Sequence, residues 1–167
     1  TGSLFSLLRY NVTPDVLVLA KALGGGMPLG AFIAREEIMS SLAHDPALGH
    51  ITTFGGHPVC CAAGLASLEV VVKEQLPQHA LEKEKILREK LAQLPVKEIR
   101  GEGLLLAVVP ERGILIPSLV SQAPEYGLLL DYFLFCNDAF RVAPPLTITQ
   151  EEIMTACQRL EALMTAV

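Results

Sequence analysis

No apolar run in this sequence reaches the length of a membrane-spanning helix. Val16 to Leu23 is interrupted by Lys21, and Leu104 to Val109 is too short. Basic residues are also scarce: 13 Lys and Arg stand against 18 Asp and Glu, for a net charge of −5. That balance leaves no electrostatic footprint for nucleic acid or an anionic membrane. Charged residues are a modest 19% and apolar residues 51%, a globular composition with none of the polarity that keeps chains disordered. There is no internal repeat and no low-complexity segment. There is no start methionine and no signal peptide at Thr1-Gly2-Ser3, so the chain is expected to begin inside a longer protein. The four cysteines, Cys60, Cys61, Cys136 and Cys157, lack the C-x-x-C spacing of a metal knuckle or redox pair. They are expected to be buried, reduced thiols of a cytoplasmic protein. His44, His50 and His79 are too scattered for a metal site, and none is expected.

A length of 167 residues fits one large domain, or one domain and part of another. Val16 to Ala20, a short apolar run after Thr13-Pro14-Asp15, reads as a buried strand. The triple glycine Gly24-Gly25-Gly26 breaks the pattern, and Ala31 to Ala34 reads as a second strand. Arg35 to Leu42 has the look of a helix, and Asp45-Pro46 opens a loop. Val59 to Val72, rich in Ala and Val and without proline, reads as a mostly buried helix. Residues 79–94 are strongly charged, but Ala80, Leu87, Leu91 and Leu94 keep helical spacing, so most Glu and Lys can face water.

Beyond Pro95 short strands and helices alternate. Val96 to Arg100 and Leu104 to Val109 flank Gly101-Glu102-Gly103 as strand, turn and strand. Pro117 to Ala123 reads as a short helix stopped by Pro124. Leu128 to Phe133 and Ala139 to Val142 read as strands. Thr149 and Glu152 form a capping box for a final helix, with Ile153, Cys157, Leu160 and Met164 on one face. Two pieces result. Residues 1–75 read as the end of an α/β domain with too few strands for a complete sheet, and 76–167 as a small α+β domain.

Three segments carry chemistry. Lys21 follows the first strand and precedes the triple glycine. Loss of water disfavours the charged form of a lysine, a neutral amine attacks aldehydes, and glycines let backbone approach a ligand. The alternative is a lysine snorkelling from a strand end beside an ordinary loop. The glycines fit neither the dinucleotide fingerprint nor the phosphate P-loop. Thr52-Thr53-Phe54-Gly55-Gly56-His57-Pro58 sets hydroxyls and glycines before a helix N-terminus, which suits an anion such as phosphate; a plain turn is the alternative. His57 is either a ligand or base, or a structural histidine. Arg141, between Phe140 and Val142 and before Pro144-Pro145, is expensive to bury unpaired, and its planar fork matches a carboxylate. A salt bridge within the fold is the alternative.

Together these segments are more specific than any one alone. Pro-Asp-Val-Leu-Val-Leu-Ala-Lys-Ala-Leu-Gly-Gly-Gly-Met-Pro-Leu-Gly-Ala, from Pro14 to Ala31, closely resembles the cofactor-lysine segment of the class III aminotransferases, the ornithine, acetylornithine and 4-aminobutyrate group. Thr53-Phe54-Gly55-Gly56, Arg100-Gly101-Glu102-Gly103-Leu104 and Arg141-Val142-Ala143-Pro144-Pro145 resemble further motifs of that family, in order. The resemblance covers essentially the whole chain. It implies the end of the large domain of a fold-type I pyridoxal-phosphate-dependent transferase (residues 1–75), followed by a small α+β C-terminal domain (residues 76–167). It implies pyridoxal 5'-phosphate as cofactor, bound by Lys21 as a Schiff base and by Thr53 through its phosphate across the interface of a homodimer. Lys21 is then also the catalytic proton carrier, and Arg141 stands near the substrate carboxylate. The substrates implied are an amino acid, such as ornithine or acetylornithine, and a keto acid.

The sequence also departs from the family pattern. His57 stands where asparagine is usual, and Ile51-Thr52 where small residues are usual; both bear on substrate more than on cofactor. The family's acidic partner for the pyridine nitrogen, its ring-stacking aromatic and its own-subunit phosphate loop all lie upstream of the lysine. The 167 residues alone are therefore expected to have little or no activity. Two other readings remain: a non-catalytic folding or dimerisation module, and an isomerase resembling glutamate-1-semialdehyde aminomutase. The isomerase group usually carries a different segment where Thr53-Phe54-Gly55-Gly56 stands.

Overall fold

The computed structural model describes residues Thr1–Val167, which divide into two compact units. One is Leu4–Glu74; the other is Gln75–Val167 together with Thr1–Ser3. No helix is long and apolar enough to cross a membrane.

In residues 4–74, strand β1 (Val16–Leu19) pairs antiparallel with β2 (Ala31–Ala34), Val16 opposite Ala34 and Leu19 opposite Ala31. A 3-10 turn over Lys21–Gly24 and the glycine loop connect them. Helix α1 (Glu36–Met39) runs into a 3-10 turn over Ser40–Ala43, shortening the helix expected from Arg35 to Leu42. Helix α2 (Pro58–Lys73) matches the apolar stretch and starts on proline, whose missing N–H costs nothing in a first turn.

Burial departs from the sequence reading here. Strand β1 and helix α2 are not buried: Val18 is 73% exposed, and Val59, Leu65 and Val72 are exposed as well. Only Gly24 and Gly64 are buried in residues 4–74. The reason is geometric. Apolar composition is a property of side chains, whereas burial needs a covering layer, and a two-stranded ribbon beside one helix supplies little. The expected burial of the cysteines fails for the same reason: Cys61 is exposed, Cys60 and Cys136 are half-buried, and only Cys157 is buried. All four are free thiols.

What does close in this unit is backbone against backbone. The loop after Lys21 lies on α2. A Cβ on Gly64 would stand 2.6 Å from Leu29 Cδ2 and 2.8 Å from the Leu23 carbonyl oxygen. A Cβ on Gly25 would meet the Ala63 carbonyl oxygen at 2.7 Å, and Gly25 also has φ +57°. Glycine is needed at both positions.

The other unit has a conventional core. Its four-stranded antiparallel sheet has the order β3-β4-β6-β5, with β3 (Val96–Glu102), β4 (Leu105–Pro110), β5 (Asp131–Phe133) and β6 (Cys136–Val142). Three helices accompany it: α3 (Leu76–Leu91), α4 (Ile116–Gln122) and α5 (Gln150–Ala166). Helices α3 and α5 pack together, α3 touches β3, and α4 touches β5 and β6. Leu87 and Leu91, Leu106 and Val108, Leu119, Phe140, and Ile153, Leu160 and Leu163 meet in one cluster. The capping box is formed: the Thr149 side chain accepts from the Glu152 amide, and Glu152 accepts from Thr149 N–H at 2.7 Å. That bond holds the Glu152 carboxyl below its usual range.

Helix α4 ends at Gln122, stopped ahead of Pro124 as expected, and Pro124 sits in a 3-10 turn over Ala123–Tyr126, where its fixed φ is compatible. The strand expected over Leu128 to Phe133 begins only at Asp131, and β6 starts earlier than expected, at Cys136. The charged face of α3 is also not all solvated. Glu84 accepts from Gly103 N–H at 2.6 Å, and Arg88 donates to the carbonyls of Ile99 at 3.1 Å and Gly101 at 2.6 Å. Glu84 and Arg88 pair with each other at 2.7 Å, so one helix clamps the β3–β4 turn.

The Gly64 contact yields a test. Replacing glycine within a helix ordinarily helps stability by up to ~1 kcal/mol. Gly64→Val should instead cost about 1–3 kcal/mol through overpacking. Urea denaturation of the whole protein measures it, and an unchanged or raised midpoint would contradict the packing described.

Candidate functional site

Lys21 begins the turn that leaves β1. Its φ is 55°, in the left-handed region where side-chain-bearing residues are uncommon. Holding a lysine there costs on the order of 1–2 kcal/mol relative to an ordinary conformation. The loop beyond it fixes this geometry: Gly25 N–H bonds to Ala22 O at 3.1 Å, Met27 N–H bonds to Gly24 O at 3.0 Å, and Gly25 abuts α2. Lys21 is exposed, not dry as its apolar neighbours had led us to expect, because β1 has no cover on its outer side. An exposed amine on a pinned loop is accessible to an aldehyde.

Thr53 is exposed in the tight turn ahead of α2. Gly55 N–H bonds to Thr52 O at 3.3 Å, and His57 N–H bonds to Phe54 O at 3.2 Å. A Cβ on Gly55 would lie 2.9 Å from Thr52 Oγ1, and Gly56 has φ +70°. Gly56 is thus a conformational requirement of the turn, whereas a Cβ at Gly55 would meet only the rotatable Thr52 hydroxyl. His57 is the N-cap residue of α2 without capping it through its side chain, and its ring lies 6.4 Å from that of Phe54, tilted by 51°. The first turn of α2 carries no acidic side chain to compete with a bound anion.

Arg141 lies on β6, between Ala107 of β4 and Asp131 of β5. Strand alternation explains its environment. Phe140 faces the core and is fully buried, so Arg141 faces the opposite side of the sheet. Phe140 and Val142 do not enclose Arg141, whose side chain is 41% exposed. It already has an anion, since Arg141 Nη2 donates to Asp131 Oδ2. Asp131 was not foreseen from the sequence. An even two-residue hairpin at Leu134-Phe135 would set Asp131 opposite Asp138. The register shift between Tyr132 and Phe133 moves it opposite Arg141 instead.

On the same sheet face, Arg100 pairs across the strands with Ala107, in line with Arg141. Arg100 has its own carboxylates, Glu98 at 3.7 Å and Asp138 at 3.3 Å. The Cys136 thiol donates to Asp138 at 2.9 Å and, ahead of Arg100, holds the Asp138 carboxyl below its usual range. Glu98, foremost, raises the guanidinium of Arg100.

The class III aminotransferase family matches residues 1–164, and the chain belongs to that family. The family is pyridoxal-phosphate-dependent, and the chain has the mixed α/β fold of a fold-type I transferase segment. An acetylornithine aminotransferase from Elizabethkingia anophelis is 32% identical with a TM-score of 0.84, over 100% of this chain and 43% of that one. The ornithine aminotransferase of Toxoplasma gondii, a structure with pyridoxal phosphate at partial occupancy in its active site, is 34% identical. Its TM-score is 0.84, over 100% of this chain and 40% of that one. An (S)-enantioselective omega-transaminase from Thermomicrobium roseum is 31% identical with a TM-score of 0.85, over 99% of this chain and 40% of that one. The chain thus spans less than half the length of the structures it matches.

The residues present fit two parts of such a cofactor. An aldehyde needs an accessible amine, which Lys21 offers. A phosphate needs hydroxyl and N–H donors free of nearby carboxylates, which Thr53 and the start of α2 offer.

The conformation of Lys21 is testable without any ligand. Lys21→Gly and Lys21→Ala both remove the amine, but only glycine accepts φ 55° without a steric penalty. The glycine variant should be the more stable of the two by about 1 kcal/mol, read by urea denaturation of the apoprotein. Equal stabilities would show that position 21 is not held in the left-handed region.

Proposed function

We propose that this chain is the lysine-bearing end of the large domain (residues 1–75) and the small C-terminal domain (residues 76–167) of a pyridoxal-phosphate-dependent aminotransferase. Its substrates are an amino acid such as ornithine or acetylornithine and a keto acid. The observation that carries this reading is Lys21, a strained, accessible amine on a loop fixed by glycine contacts, within a segment matched to the family along nearly its whole length.

In this reading Lys21 binds the cofactor covalently through Nζ. The same Nζ, when free, would take up a proton from the substrate carbon and hold it for return. That transfer needs a neutral amine at the moment of reaction. When bound, the cofactor supplies the electron sink that makes the substrate proton removable. Thr53 holds the phosphate of the partner subunit's cofactor through its hydroxyl, with backbone donors of the same turn, and this makes the working unit a homodimer. Arg141 receives the substrate carboxylate in a two-point contact. The protein works in the cytoplasm.

A non-catalytic module is the second reading. One observation favours it: residues 75–167 close a core of their own. The isomerase reading has no comparable support, since Thr53-Phe54-Gly55-Gly56 is intact.

Borohydride reduction of the holoenzyme, followed by peptide mapping, should leave the pyridoxyl label on Lys21. A label on Lys73 or Lys83 would overturn the assignment, and no label at all would favour the non-catalytic module.

Arg141→Lys keeps the charge but loses the two-point contact. It should lower kcat/KM for carboxylate substrates by about tenfold, the scale of one charge-assisted hydrogen bond, with a normal cofactor spectrum. Loss of cofactor or of folding, with unchanged kinetics in the surviving protein, would make Arg141 structural.

A further inference from the structure

Helix α5 lays polar side chains along a surface cavity of ≈ 490 Å³ in residues 75–167. Arg159 stands further along the helix, Glu151 about two turns before it, and Thr155 between them; all three line the cavity. Leu128, Pro145, Ile148 and Ala156 supply apolar wall.

Arg159 is held but not neutralised. Its Nη1 donates to the carbonyl of Gly127 at 3.1 Å, and it forms no ion pair. Gly127, with φ +69°, lies so close that a Cβ there would stand 2.5 Å from Nη1. Bare backbone thus steadies one edge of the guanidinium, and Nε and Nη2 keep their donors. Such a fork matches a carboxylate. Arg88 and Arg100 differ, since Glu84 pairs with the first and Glu98 and Asp138 with the second. Glu151 is the corresponding anion. Its neighbour Glu152 is committed to the capping box, accepting from the Thr149 N–H at 2.7 Å and the Thr149 hydroxyl at 2.9 Å. Glu151 takes the Thr155 hydroxyl on its backbone carbonyl at 3.0 Å, and its carboxylate has no partner. Arg159 and Glu151 do not meet each other, because their positions on α5 are separated by a rise of about 12 Å. Helical side chains lean the same way, so the two charged heads keep roughly that spacing.

We propose that this cavity binds an extended zwitterion, an ω-amino acid with its carboxylate on the Arg159 fork, its ammonium at Glu151 and its methylenes against Leu128, Pro145 and Ile148. Charge-assisted hydrogen bonds of about 3 Å at each end leave roughly 6 Å between the ligand's own charges, the span of an extended chain of about five carbons. An α-amino acid carries both charges on one carbon and reaches one end only. Both ends of the site are exposed, so water and salt screen them, and the affinity is on the order of millimolar. The site is therefore filled only when its ligand is abundant. It uses none of the residues assigned to cofactor or substrate, and the inference stands apart from the cofactor reading.

The test follows a labelled Ile148 δ-methyl by NMR in the cofactor-loaded whole protein, with 5-aminopentanoate as the probe. The signal should move along a saturable curve. Pentanoate and pentylamine, each with one of the two charges, and alanine should bind about two- to fivefold more weakly, the range of one screened pair. Glu151→Gln should weaken 5-aminopentanoate by a similar factor and leave pentanoate unchanged. Arg159→Lys, which keeps the charge and loses the fork, should weaken both. A methyl signal that stays fixed, one-ended ligands that bind as well as 5-aminopentanoate, or an affinity indifferent to both variants would overturn the site. Loss of pentanoate binding in Glu151→Gln would overturn the division of labour between the two ends.

Discussion

The segment that bears Lys21 depends on one close approach, the glycine loop laid on helix α2. In most folds such a contact would be one among many. Here it holds the two buried residues of 4–74, Gly24 and Gly64. The absence of side chains at Gly25 and Gly64 lets the Ala63 and Leu23 carbonyls come within van der Waals reach of the opposing chain. A side chain at either position would lift the loop off the helix. The turn that holds Lys21 at φ 55° would then lose its support, and the lysine would relax into an ordinary conformation. The chemistry attributed to this lysine thus rests on residues that have no chemistry of their own.

Residues 75–167 follow a different logic. Their stability is hydrophobic and distributed, with Phe140, Leu106, Leu119, Ile153 and Leu163 all withdrawn from water. Polar contacts then fix particular pieces. The Glu84–Arg88 pair takes up the free backbone groups around Gly101 and Gly103, and Lys83 Nζ donates to Leu146 O at 2.7 Å, fixing the segment that follows Pro144-Pro145. The half-exposed face of the sheet is left free to carry charge. It holds two arginines in register, each with at least one carboxylate beside it.

Much of this was legible in the sequence, for physical reasons that can be named. The helices α3 and α5 announce themselves through spacing at Ala80, Leu87 and Leu91, and at Ile153, Cys157 and Leu160. A capping box is a local device that needs only Thr149 and Glu152. The strands β1 and β2 were readable from short apolar runs between turn residues. Burial was not, because it depends on what lies above a surface as well as on the surface itself; Val18 and Leu65 are as apolar as any core residue and are exposed. The lysine was legible through its neighbours, but its backbone strain was not, since no residue pattern marks a lysine with a positive φ. Asp131 was invisible for a sharper reason. Its partner is chosen by an irregular strand register, and no residue pattern records that the pairing slips between Tyr132 and Phe133.

The hairpin between β5 and β6 has an evolutionary consequence. Leu134 and Phe135 lie almost wholly in solvent, and Tyr132 is about half exposed, so replacing them removes little that holds the domain together. Most proteins sit only a little above the stability they need, and changes of specificity are often limited by what the fold can spare. The buried Phe140 lies further along β6, away from this exposed tip. The tip can therefore change with the core of the domain intact. What it presents to its surroundings is separated from the requirement to stay folded.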